Sequence, residues 1–280
     1  MNRTDDWYEV TRLAERSYLI TEANQYRMYL IEGTERSVVI DTGLGIGRLR
    51  SLVTDLVDLP LEVVLTHTHW DHIGAAVQFD DVYVDPHELP LDRQVRIDSI
   101  SEEFTNRPEE FVSHWRAANR EFPEEFDVDT YMIDSFTAKA TPPEREIDLG
   151  TRSLEVLPLP GHSPGHLGVL DQKTGVLYGG DILQFDRGLY ILFKDSSLTD
   201  YIESIEAVVT LKSEGRFDVL ATSHNDPLAG DELSIFEELL DALYDIVAGN
   251  REYELVDTPW GQVRSYRVGA AEVLTRQKLN

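Results

Sequence analysis

Apolar and polar positions fall into short, alternating blocks along the chain. Residues 26–32 and 36–41 read as two strands around the turn Gly33-Thr34-Glu35, and the second ends in Asp41-Thr42-Gly43. Helical spacing follows over roughly 47–58, with Leu49, Leu52, Val53, Leu56 and Val57 on one face. Leu61 to Thr66 reads as a short buried strand, and Val82-Tyr83-Val84 as another. Strand signals return at Leu154–Leu157, Leu167–Leu170, Val176–Tyr178 and Val219–Thr222, with helices expected over about 199–213 and 231–248 and a mixed, capping tail over 252–280. This alternation predicts a layered α/β architecture, read as a single domain over 1–280.

Residues 87–145 differ in character. They hold Glu102-Glu103, Glu109-Glu110 and Glu124-Glu125, aromatics at helical spacing (Phe104, Phe111, Trp115, Phe122), and Pro142-Pro143 near the end. The stretch reads as a helical insertion whose glutamates are solvated faces and whose aromatic stripe is packing. An insertion at this point in the chain is also placed to act as a lid. In that case Phe104, Phe111, Trp115 and Tyr131 would give an apolar wall to a pocket beneath it.

Charge changes the picture. Asp plus Glu number 52 against 25 Lys plus Arg, a formal net of -27, with the acids scattered rather than gathered in a tail. Such self-repulsion weakens a fold in dilute buffer and is screened in molar salt, where the Debye length is about 3 Å. We read it as adaptation to a saline cytoplasm. No basic stripe is visible, which counts against nucleic acid as a partner. The longest apolar runs fall far short of the roughly 20 residues that span a bilayer, so no membrane association is expected. The acidic N-terminus lacks the apolar stretch of a secretory signal, and a cytoplasmic location follows as an expectation. Cysteine is absent, which excludes disulfides, thiolate ligands and cysteine nucleophiles. Any metal must then be held by His, Asp and Glu, a donor set suited to zinc, iron or manganese.

The cluster Thr66-His67-Thr68-His69-Trp70-Asp71-His72 follows directly on a predicted strand. His67 and His69 lie two apart on a loop and can converge on one ion; Asp71 and His72 project differently and can address a second. Four ligand-type side chains in so short a stretch repel or waste hydrogen-bonding capacity unless a cation holds them. Further along, Gly161-His162-Ser163-Pro164-Gly165-His166, Gly179-Gly180-Asp181 and His224 each follow a predicted strand. Ligand-type residues thus recur at strand ends, where loops carry chemistry on a rigid scaffold.

Together these motifs resemble the metallo-β-lactamase superfamily. His67-x-His69-x-Asp71-His72 looks like its signature, His162, Asp181 and His224 match its later metal motifs in order, and Asp41 looks like its N-terminal motif aspartate. The resemblance covers the chain outside 87–145 and implies an αββα sandwich, two mixed sheets flanked by helices, with the metals at one edge. It implies two Zn2+ per chain, with Fe or Mn as options. His67, His69 and His162 would hold one ion and Asp71, His72 and His224 the other, with Asp181 bridging. Asp71 and His72 then stand among the catalytic residues, and a metal-bridging hydroxide attacks a carbonyl carbon. Asp41 is expected to support a ligand from behind. His166 is read either as steadying a ligand or lining the pocket, or as simple packing. His87 and His114 are read as ordinary histidines.

The substrate implied is a small molecule: an ester, lactone or thioester. The loop at 161–166 resembles the glyoxalase II-like (hydroxyacylglutathione hydrolase) and lactonase-like branches. Two departures stand against a close match. Ile182-Leu183-Gln184-Phe185 after Asp181 lacks the glutathione-binding pattern, and Gln184 stands where quorum-signal lactonases carry tyrosine. Tyr190, Arg187 and Lys194 are the candidates for substrate contact. Alternative readings are a mononuclear-iron persulfide dioxygenase, which would leave His72 and His224 without a role as ligands, a ribonuclease Z-type nuclease, disfavoured by the charge, and a non-catalytic metal binder. The oligomeric state is left open, a homodimer being one option.

The charge reading predicts that the thermal midpoint rises between dilute buffer and molar KCl. A midpoint that is highest in dilute buffer overturns it.

Overall fold

A computed structural model describes residues 3–4, 7–97, 102–142, 145–185 and 188–276. The chain divides into two compact units, residues 1–154 and 155–280.

The first unit is built on one large sheet. Arg3–Thr4, Tyr8–Ala14, Ser17–Glu22, Tyr26–Glu32 and Ser37–Ile40 run as an antiparallel meander, continued in parallel by Leu61–Val64 and Val82–Val84. Ser37–Ile40 is buried at every position, which is why it reads as a continuous apolar run. The three parallel strands end at the same edge and release Asp41, the stretch from Leu65 onward, and Asp85. A crevice outside the carboxyl ends of parallel strands is where α/β sheets bind ligands. Leu49–Leu56 forms the expected helix and buries Leu49, Leu52 and Val53.

The stretch 87–145 is less helical than its aromatic spacing suggests. Among its described residues, helix covers Ile97, Glu102–Phe104 and Arg107–Ala117. Helical structure stops where Asn119 takes a left-handed backbone (φ 53°), a conformation Asn tolerates better than most residues. The remainder is turns and two-residue strands: Gln94–Val95 pairs with Phe136–Thr137, and Lys139–Ala140 pairs in parallel with Val82–Val84. The aromatic stripe is packing, as expected. Trp115 lies 5.4 Å from both Trp7 and Phe111 and 6.2 Å from Phe122, and the row continues from Phe122 through Phe126 to Tyr131 in two steps of 5.1 Å.

The second unit carries a sheet in which Ser153–Pro158, Leu167–Asp171 and Val176–Gly180 are antiparallel. Val219–Thr222 then joins Val176–Gly180 in parallel. Two helices pack their apolar faces into its core. Leu198–Ser213 starts at Ser197, whose hydroxyl accepts from the Asp200 N–H. Ile235–Ala248 buries Ile235, Phe236, Leu239, Ala242, Leu243 and Ile246 and ends at Gly249 in the left-handed region. The tail expected to be mixed supplies three strands of a four-stranded sheet, ordered Leu189–Ile191, Ala271–Thr275, Gly261–Val268 and Glu254–Thr258. No helix among the described residues is long and apolar enough to cross a membrane.

One buried acid holds the loop after Ser37–Ile40. Glu22 is fully buried; one carboxylate oxygen accepts from Trp7 Nε1 at 2.5 Å and the other from the Leu44 N–H at 2.6 Å. Burial pushes its pKa up from the ordinary 4.5 to about 7, against those hydrogen bonds and others from Ile46 and Gly47. Between these two values the folded chain keeps a proton that the unfolded chain gives up. The associated stability is therefore whole below pH 4.5 and is lost as the pH rises through about 7. At about 1.4 kcal/mol per unit the loss is about 3 kcal/mol. Urea titrations from pH 4.5 to 7.5 should show wild type losing that much relative to Glu22→Gln; parallel curves overturn the assignment.

Candidate metal-ligand sets

In the first unit the ligand-type residues are organised by Asp41. It ends its strand with a left-handed backbone (φ 60°), a conformation Asp adopts more readily than most side chains. Its buried carboxylate accepts from the Thr66 N–H at 2.7 Å and from the Thr66 hydroxyl at 2.9 Å, and it lies 2.8 Å from His72 Nδ1. Thr66 Oγ1 is also 3.0 Å from His67 Nδ1. The hydroxyl has one proton and the carboxylate takes it, so the oxygen accepts from Nδ1–H of His67. Asp41 likewise accepts from Nδ1–H of His72. Both rings are thereby fixed as the tautomer whose Nε2 carries the lone pair a metal needs.

The rings themselves are gathered. The His67 centroid lies 4.3 Å from that of His69 and 4.0 Å from that of His72, and all three side chains are buried. Asp71 Oδ1 lies 3.8 Å from His72 Nε2, and its side chain keeps 14% exposure, so it reaches water more than the three buried histidines do. The backbone beneath is laced tightly. Thr42 donates both its N–H and its hydroxyl to the His72 carbonyl, at 2.7 and 2.8 Å. Gly45 and Gly74 touch: a Cβ on Gly45 would meet the Gly74 carbonyl oxygen at 2.3 Å.

Two residues of 87–145 reach this set. Phe104 is buried with its ring 4.4 Å from that of His69. Tyr131 donates to the Leu44 carbonyl at 2.6 Å. Its phenol pKa is raised by burial first, and then by the charges of Glu22, Tyr26 and Asp71. Phe111 and Trp115 belong instead to the packed row. His87 is exposed and pairs with Asp85, and His114 is exposed, as read from the sequence.

In the second unit Asp181 and His224 leave the ends of the paired parallel strands Val176–Gly180 and Val219–Thr222. Asp181 Oδ2 lies 3.5 Å from His162 Nε2, and Oδ1 lies 3.3 Å from His224 Nε2. Each oxygen of one carboxylate thus faces a different imidazole. His162 Nδ1 lies 2.8 Å from the Tyr190 carbonyl, which can only accept, so here too Nε2 carries the lone pair. His166 is not turned to this group. Its Nδ1 donates to the Leu159 carbonyl and its Nε2 accepts from the Asp181 N–H, both at 3.0 Å. It therefore holds Asp181 by the backbone.

The loop bearing His162 is clamped by the helix that follows. Ser204 donates to the Pro160 carbonyl at 2.6 Å and Ser196 to the His162 carbonyl at 2.8 Å. Gly161 has φ 129° and lies so close to Tyr201 that a Cβ would meet that residue's backbone at 2.4 Å. Tyr201 donates to the Ile182 carbonyl at 2.7 Å, its phenol pKa raised by burial and by the Asp181 charge. Asn225 ties the loop after Asp181 to the one carrying His224, donating to the Leu183 carbonyl and accepting from the Phe185 N–H. Ser196, Ser204, Tyr201 and Asn225 escaped the sequence reading, and Thr66 was named there only as part of the cluster; the positions of Thr66 and Asn225, next to His67 and His224, offered a signal. Gln184 is buried, Lys194 is exposed, and Arg187 lies outside the described residues.

The donor sets suit divalent cations. Two ligands at about 2.1 Å from one tetrahedral ion stand about 3.4 Å apart. The pairs His162–Asp181 at 3.5 Å, His224–Asp181 at 3.3 Å and Asp71–His72 at 3.8 Å fall around that value. Lone pairs facing carboxylate oxygens at that spacing are the arrangement a shared cation stabilises.

Comparison with known proteins gives a consistent picture. Residues 22–215 match the family model described as the metallo-beta-lactamase superfamily. The chain is 28% identical over 249 residues to the acyl-coenzyme A thioesterase MBLAC2 of Homo sapiens, covering 81% of this chain and 85% of that one. It is 26% identical over 215 residues to the hydroxyacylglutathione hydrolase GloC of Haemophilus influenzae, covering 72% and 90%. Among solved structures, a metallo-beta-lactamase from Pontibacter korlensis superposes with a TM-score of 0.55 over 85% of this chain and 99% of that one, at 17% identity. This likeness shows the fold, the αββα class expected from the motifs.

Asp41→Asn should weaken divalent-metal affinity about 10- to 100-fold in chelator competition, the usual cost of losing a partner behind a ligand. Unchanged affinity overturns its assigned role.

Proposed function

Because the chain belongs to the metallo-β-lactamase superfamily, whose fold and motif order it carries, we propose that it is a dinuclear metallo-hydrolase acting on a small acyl thioester. Zinc is the proposed metal. The observation that carries this reading is Asp181, with its two oxygens turned to two different imidazoles, the disposition of a carboxylate shared between two ions. In this assignment the first unit supplies His67, His69, Asp71 and His72, and the second supplies His162, Asp181 and His224. A divalent cation held by such donors lowers the pKa of a water and polarises a carbonyl oxygen.

The protein's own groups have separable tasks. Asp41 and the Tyr190 carbonyl hold imidazoles in the ligating tautomer, and His166 keeps Asp181 in place. Asp71, the acid with exposure to water, orients the attacking water and accepts its proton. Phe104, packed on His69, keeps one side of that histidine dry. The absence of cysteine agrees with direct attack by water rather than acyl transfer to a side-chain thiolate. The thioester, rather than an ester or lactone, is favoured because the two relatives named above are a thioesterase and a hydroxyacylglutathione hydrolase. The net charge of -27 disfavours nucleic acid as substrate.

The test is metal quantification on the native protein combined with turnover of thioesters, lactones, phosphodiesters and β-lactams at high salt. Two zinc ions per chain and thioester hydrolysis are expected, and Asp181→Ala should abolish turnover and lower metal content. One iron per chain with oxygen uptake overturns the reading in favour of an iron dioxygenase. Full activity in Asp181→Ala overturns the bridging role.

A further inference from the structure

Beside His162 the second unit carries an aromatic group that the ligand chemistry does not use. Trp260 sits with Pro259 on the two-residue tip of the hairpin joining Glu254–Thr258 to Gly261–Val268, closed by the pair Thr258–Gly261. The tip is locked from within: Thr258 Oγ1 accepts from the Trp260 N–H at 3.2 Å and donates to the Gly261 carbonyl at 2.7 Å. Proline presets its own φ in such a turn, and Gly261 supplies a left-handed φ of 102°. The indole is therefore aimed by a rigid support.

It is aimed at two rings that bracket a proposed ligand. Trp260 meets Phe193 edge-on, with centroids 5.0 Å apart, and Tyr190 at 5.4 Å. The Tyr190 carbonyl holds His162 Nδ1, and the Phe193 ring stands edge-on to the His162 ring at 5.9 Å. Phe193 is buried, whereas Tyr190 and Trp260 are half-buried and keep aromatic surface open to solvent. The four-stranded sheet does not need Trp260 for its anchorage, since Tyr266, Val268, Ala271 and Val273 already sit in the core. Trp260 also lies outside residues 22–215, the stretch the family model matches.

We propose that Trp260, with Tyr190 and Phe193, forms the subsite for the apolar acyl group of the substrate and sets the preferred acyl length. The inference rests on the thioesterase reading. Rigid aromatic surface one ring away from a metal ligand suits the non-reacting hydrocarbon of an acyl thioester. Each methylene it removes from water is worth about fourfold in affinity. Remote binding of that kind gives specificity without altering the reacting groups.

The experiment measures kcat and KM on the metal-loaded enzyme at high salt for straight-chain thioesters of one thiol, from acetyl to decanoyl. In wild type KM should fall about fourfold per methylene until the subsite is filled. Trp260→Ala should reduce the KM ratio between acetyl and octanoyl thioesters at least tenfold, and Trp260→Phe should restore most of it. An equal rise in KM for every acyl length, or an unchanged ratio, overturns the proposal. A second measurement separates it from the reaction. Octanol added to the metal-free protein should shift indole emission in wild type more than butanol does, and Trp260→Phe should lose the shift. If no thioester is turned over yet octanol still acts through Trp260, the reaction fails and the subsite stands. Turnover with no response to chain length leaves the reaction and removes the subsite.

Discussion

The constraint on which most else depends is the burial of the Asp41 carboxylate. A charge removed from water is costly unless donors surround it, and here the donors are the Thr66 N–H, the Thr66 hydroxyl and His72 Nδ1. Meeting that need sets the tautomers of two imidazoles at once, since His67 relays through the Thr66 hydroxyl. Asp41 and Thr66 sit at the ends of neighbouring parallel strands, so the register of the sheet positions the carboxylate and its donors together. Stability and ligand orientation are thus one arrangement.

The second unit solves the same problem with different parts. Two parallel strands again bring two groups to one edge, Asp181 and His224, but the fixing partners are backbone carbonyls and amides rather than a buried acid. His166 lies between the Leu159 carbonyl and the Asp181 N–H, and its ring is consumed by that task. Histidines four residues apart in one loop therefore have unlike duties. One turns its lone pair to a carboxylate, and the other holds that carboxylate's backbone.

Much of this was legible in the sequence, for a physical reason. Strands that are buried on both faces show as apolar runs, and ligand-type side chains just beyond such runs stand out against them. His67 to His72, His162, Asp181 and His224 were readable on that ground, as was Asp41. What escaped reading acts through tertiary contact. Ser204 is one serine on a helix until the helix is seen lying over Pro160. Asn225 resembles any loop asparagine until it bridges two loops. Glu22 is one acid among many, and only burial distinguishes it. The region 87–145 misled in part because aromatic spacing records which residues pack together, and turns can pack aromatics as well as helices can.

The contact between Gly45 and Gly74 has a consequence for how this protein can vary. Neither residue bears chemistry, yet a single methyl at either position would have to displace backbone that is hydrogen-bonded on both sides. In a library of single substitutions these two glycines should be as intolerant as the ligands themselves, and a scan that ranks positions by lost activity would count them as part of the site. Their intolerance would record the thickness of a backbone layer, and a pair of compensating changes could not restore it, because there is no side chain to shrink in exchange.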